Sequence, residues 1–87
     1  MEFDVGRAYE KHPKVAIRPE EFGGLAYHYG NRRLVFLTSP TLTGLVESLA
    51  GFATAGDALA AQVPAPLRRS YENALARLLA SEVIRVR

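Results

Sequence analysis

Residues 32–37 read RRLVFL, two arginines and then four apolar residues, and the run stops at Thr38-Ser39-Pro40. In a strand, Leu34 and Phe36 point one way and Val35 and Leu37 the other, so both faces are apolar. Such a strand needs a layer over each face and a neighbour at each edge, and a short chain must find these within itself or take them from outside. Two upstream runs supply a meander. VAIRP at 15–19 alternates, and Pro19 ends it because proline has no N–H to give a ladder. EEFGG at 20–24 is turn chemistry, and LAYHY at 25–29 alternates again. Gly30-Asn31 predicts a two-residue hairpin turn that sets Tyr29 opposite Arg32, Tyr27 opposite Leu34 and Leu25 opposite Phe36. Those side chains share the more strongly apolar face, while Ala26, His28, Arg33, Val35 and Leu37 share the other; a one-residue slip would exchange the faces.

Three helices follow. Ser39 is an N-cap with Pro40 at the first helical position, and Leu42, Leu45, Val46 and Leu49 recur at helical spacing before the stop at Gly51. Thr54 to Asp57 forms a capping box with Asp in place of Glu and opens a short helix to Gln62. Pro64-Ala65-Pro66 breaks it, and Leu67, Tyr71, Ala74, Leu75 and Leu78 mark the apolar stripe of the last helix. VIRV at 83–86 forms a short final strand or an extended end. The order is three strands and then three helices, an α+β domain. Residues 1–14 show no sustained period and are expected as an N-terminal arm, with the folded domain over 15–87.

At 87 residues, with 48% hydrophobic and 23% charged side chains, the chain is one globular domain with a thin core. The absence of cysteine removes disulfides, thiolate nucleophiles and cysteine zinc sites, and fits a reducing cytosol. No apolar run is long enough to cross a bilayer, and no secretion signal opens the chain. The net charge of +2 is unevenly placed, since residues 39–67 hold Glu47 and Asp57 but no base, whereas 68–87 hold five arginines against Glu72 and Glu82.

Catalytic chemistry has little to work with. His12 precedes Pro13 in the arm, and His28 has no carboxylate near it in the expected ladder. Glu20 and Glu21 point opposite ways on extended chain, which separates them as an acid–base pair. Gly23-Gly24 precedes a strand rather than a helix, so its amides make no phosphate cradle. No enzyme activity, cofactor or metal is expected. Binding remains. The RRLVFL strand lies at an edge of the meander, protected only by Arg32, Arg33 and Pro40. An open edge accepts an extended peptide by strand addition. The alternative is closure of that edge, internally or in a homodimer.

The strings VAIRPEEFGGLAY at 15–27, NRRLVFL at 31–37 and SPTL at 39–42 resemble the mycofactocin-biosynthesis peptide chaperones, the MftB family, which belong with the PqqD-like recognition elements for ribosomally made peptides. The resemblance runs from about His12 into the last helix. It implies a winged-helix-like domain in which three antiparallel strands precede three helices. It also implies a non-catalytic chaperone that binds the leader of a precursor peptide and delivers it to a radical SAM maturase. In relatives the leader lies between the third strand and the third helix. Carried onto this chain, the acceptor edge is Arg33, Leu34, Val35, Phe36, Leu37 and Thr38, and the opposing wall is Arg68, Glu72, Leu75 and Leu79. Arg33, Arg68 and Arg69 would draw in an acidic leader, an effect that salt weakens. Two other readings of the fold stand beside this one. A winged helix that binds nucleic acid shows a basic recognition helix, but residues 55–62 hold no base and Glu72 interrupts the arginines of the last helix. A dimerisation module would pair RRLVFL across a two-fold axis. No nucleic-acid or membrane partner is expected, and the protein is a monomer or a homodimer.

Overall fold

The computed structural model describes residues 2–87. Five strands and three α-helices follow in the order β1 (Tyr9–Lys11), β2 (Val15–Glu20), β3 (Gly23–His28), β4 (Leu34–Leu37), α1 (Pro40–Ser48), α2 (Ala55–Gln62), α3 (Arg68–Ala80) and β5 (Ile84–Val86). Single 3-10 turns at Leu49–Gly51 and Ala65–Leu67 join the helices. The expected meander is present as an antiparallel sheet of order β2-β3-β4, and the fold is α+β with a winged-helix-like arrangement.

The hairpin register is the expected one, with Tyr27 opposite Leu34 and Leu25 opposite Phe36. Its turn differs. The loop is Tyr29–Arg32, closed by Arg32 N–H to the His28 carbonyl at 2.8 Å and His28 N–H to the Arg33 carbonyl at 2.9 Å. The left-handed residue is Arg32, at φ 62°, and not Gly30. Register survives because the longer loop adds one residue on each side of Gly30-Asn31. The imidazole of His28 explains the longer loop: its Nδ1 accepts from the amides of Gly30 and Asn31 at 3.0 and 3.1 Å, folding the loop over the ring.

The two faces of the sheet are used differently from the apolar pattern. Val15, Ala26, His28 and Leu37 are buried on the inner face, against α1 and its stripe of Leu42, Leu45, Val46 and Leu49. Helix α1 crosses close to the sheet because β3 is small there. A Cβ on Gly24 would stand 2.9 Å from Thr43 Oγ1. Leu34 and Phe36, on the bulkier face, are 54% and 62% exposed. Ser39 caps α1 by accepting from Leu42 N–H at 3.0 Å, and Thr54 caps α2 by accepting from Asp57 N–H at 3.1 Å, as the sequence predicts.

Gly23 begins β3 at φ +151°, in contact with the strand-to-helix corner. A Cβ there would run into the Leu37 carbonyl oxygen and stand 2.7 Å from Ser39 N. Gly23→Ala is therefore expected to cost roughly 1–3 kcal/mol, read as a lower urea midpoint at unchanged slope.

Of the segment expected as an arm, residue 1 lies outside the described residues, and the remainder is folded onto the domain. Strand β1 pairs antiparallel with β5, setting Tyr9 opposite Val86 and Lys11 opposite Ile84. Tyr9 is fully buried, its ring stacked on Phe3 at 5.0 Å and its hydroxyl accepting from Asp4 N–H at 2.8 Å. The tail VIRV is thus a strand, but it closes the N-terminal segment and leaves β4 alone.

Candidate functional site

Strand β4 is an edge. Its neighbour is β3, and among the described residues nothing pairs with its other side. The phase of the ladder follows from the His28–Arg33 bond. Antiparallel pairs alternate between bonded and non-bonded, so Ala26:Val35 is bonded and Leu25:Phe36 and Tyr27:Leu34 are not. The N–H and C=O groups of Leu34 and Phe36 therefore point away from the sheet.

A cleft runs between this edge and α3. One part, of about 210 Å³, lies between Val35, Phe36 and Thr38 on one side and Ala74, Arg77 and Leu78 on the other. It continues into a smaller part, of about 170 Å³, between Thr38, Ser39 and Leu42 and Ser70, Tyr71, Ala74 and Arg77. The hydroxyls of Ser39 and Tyr71, 2.9 Å apart, tie the start of α1 to α3 at this end. Among the described residues Arg77 is the one charged side chain lining either part.

The residues expected from sequence are distributed unevenly around this cleft. Val35, Phe36 and Thr38 line it, and Leu34 gives backbone groups to its edge. Leu37 is fully buried, its side chain spent on the core. Arg33 flanks the turn. On α3 the expected wall of Arg68, Glu72, Leu75 and Leu79 is displaced around the helix. Leu75 is wholly inside the core. Arg68 turns back to the carbonyls of Val63 and Ala60 at 2.9 and 3.3 Å, finishing α2. Glu72 lies beside Phe3 and Asn73 under the N-terminal segment. Leu79 lines a separate hollow with His12, Ile84 and Val86. Arg69 is exposed and lines neither part of the cleft. The wall that faces β4 is the stripe Tyr71, Ala74, Arg77 and Leu78. Three of these belong to the apolar and helical spacing already visible in sequence, but that spacing does not separate a core face from a cleft face.

The histidines have structural surroundings. The two rings lie 4.5 Å apart. His12 Nδ1 accepts from Lys14 N–H at 3.0 Å, and His28 Nδ1 is held by its loop. Among the described residues no group of three or more metal-ligating side chains is gathered. His12 titrates below the ordinary imidazole value, because of burial first and then the charges of His28 and Arg85, with Glu82 opposing. A lowered folded pKa means that protonation favours the unfolded chain. Stability is therefore complete above the ordinary value and falls as pH drops through the folded one. The urea midpoint should decline on acidification from neutrality to about pH 5, where unperturbed imidazole is charged, and His12→Gln should flatten that decline.

No helix among the described residues is long and apolar enough to cross a membrane. No solved structure matches the chain. The profile of the peptide chaperone MftB family matches residues 8–85. A peptide chaperone MftB of Mycolicibacterium smegmatis is 41% identical over 83 residues, covering 94% of this chain and 81% of that protein. The protein of the same name from Mycobacterium tuberculosis is 49% identical over 51 residues, 59% of this chain, and that of Mycobacterium ulcerans is 50% identical over 48 residues, 55% of this chain. In these two the matched stretch spans a little under half of the relative, 47% and 44%. These relatives are named for chaperoning a peptide, and the match extends from β1 to the last strand. The chain belongs to the peptide chaperone MftB family.

Proposed function

We propose that this protein binds the leader of a ribosomally made precursor peptide along β4 and delivers it to a radical SAM maturase in mycofactocin biosynthesis. The observation that supports this is the open edge of β4 standing over a cleft walled by α3. An extended peptide laid there pairs its backbone with Leu34 and Phe36 while alternate side chains enter the cleft. Main-chain pairing supplies affinity. The apolar wall of Ala74, Leu78 and Leu42 and the charge of Arg77 select among sequences, favouring an apolar segment with a carboxylate placed to meet the guanidinium.

Calorimetric titration with the full-length precursor tests this reading. Saturable binding is expected with the precursor and with its leader alone, but not with the core peptide or a scrambled leader. A folded protein that takes up none of them, alone or with the maturase present, is not a leader-binding chaperone.

A further inference from the structure

The outer face of the three-stranded sheet is left bare. Four of the six large hydrophobic side chains that are exposed among the described residues stand on it or at its ends: Phe22, Tyr29, Leu34 and Phe36. They form connected clusters, with Phe22 edge-on to Phe36 at 6.1 Å and Tyr29 edge-on to Tyr27 at 5.0 Å. Among the described residues nothing covers them. Helix α1 lies on the opposite face, and the N-terminal segment is committed to β5 and to the far side of α3. A contiguous apolar surface of this kind marks an interaction site.

We propose that this face docks the modifying enzyme, a folded protein presenting an apolar patch bordered by carboxylates; the identity of that partner rests on the function proposed above. Charge selects the partner. In the hairpin turn at one end of the face, Arg32 has no carboxylate partner among the described residues. The carboxylate on the face itself, Glu20, is held by Arg18 at 2.5 Å. An acidic rim on another protein answers the arginine at this end.

Position selects it as well. Leu34 and Phe36 give their side chains to this face and their outward backbone groups to the peptide edge. A peptide strand added to β4 would place every second side chain level with them and extend the apolar surface. The enzyme would then meet a face built jointly by chaperone and leader, so leader and enzyme each raise the other's affinity by one factor.

The test uses the full chain with Phe22→Asp and, separately, Tyr29→Asp, exposed positions outside the cleft. Binding to the purified maturase is measured by biolayer interferometry with and without the leader peptide, and leader binding by calorimetry. Both variants should keep wild-type leader affinity and lose maturase affinity by at least about tenfold, as for removal of an interface anchor. The wild-type protein should bind the maturase more tightly when the leader is present. Variants that bind leader and maturase like the wild type overturn the docking face. So does a dimer of the protein alone that either variant breaks, since the face then belongs to a second copy. A wild-type protein that binds no leader overturns the proposed function instead, and is told apart by the calorimetric arm.

Discussion

Ala74→Arg will remove leader binding from a protein that still folds. Ala74 is half-buried at the centre of the α3 wall and lines both parts of the cleft, facing Thr38 and Leu42. Arginine is nearly as good a helix former as alanine, so α3 is not weakened by the exchange itself. Its long side chain, though, has to lie in a cleft of about 210 Å³. A peptide strand would have to displace it or forgo the wall altogether. The expected loss is about a hundredfold in affinity, or about 2.7 kcal/mol, at a melting temperature within a few degrees of wild type. Arg77→Glu reverses the single charge of the cleft and is expected to weaken an acidic leader by about tenfold, with the deficit shrinking as salt is raised. Arg69→Glu is the comparison, because Arg69 lines neither part of the cleft. A full-strength response to Arg69→Glu with none to Ala74→Arg would move the peptide to the opposite flank of α3.

That contrast shows how far the sequence carries. The strand register was legible because it depends on pairing, and Tyr27:Leu34 and Leu25:Phe36 are paired by either loop length. Which face turns inward was not legible from bulk. The side chains richest in apolar area, Leu34 and Phe36, stand outside, and the core takes Ala26 and Gly24 because a helix crosses there. A hydrophobic count rewards size, whereas packing under α1 rewards fit. The helix caps at Ser39 and Thr54 were legible because they are local chemistry. The α3 wall was not, since Leu75 and Leu78 belong to one stripe by spacing, yet one fills the core and the other also lines the cleft. Only the position of β4 across from the helix divides that stripe. The N-terminal segment escaped for a related reason. A three-residue strand has no period to display, and its partner lies at the other end of the chain.

Tyr9→Ala is the measurement that weighs that segment. The ring is fully buried among the core residues, stacks on Phe3 and fixes Asp4 through its hydroxyl. Around it the two chain ends are tied together. Arg87 N–H donates to the Ala8 carbonyl at 3.0 Å, and the Arg87 guanidinium reaches the carbonyls of Ala50 and Phe52 after α1. Truncating a buried aromatic side chain to alanine costs about 3–5 kcal/mol. A domain this small has only about 5–15 kcal/mol in total, so the melting temperature should fall by roughly 15 °C or more. Tyr9→Phe keeps the stacking and loses the hydroxyl bond, and should cost about 1 kcal/mol. At low temperature, where Tyr9→Ala is still folded, leader affinity should match wild type, because Tyr9 lines no part of the cleft between β4 and α3. A loss of stability below about 1 kcal/mol, the size of an ordinary surface change, would return residues 1–14 to the standing of a dispensable arm. The expected loss instead makes Tyr9–Lys11 the partner of β5, without which β5 has no ladder and the floor beneath α1 is open.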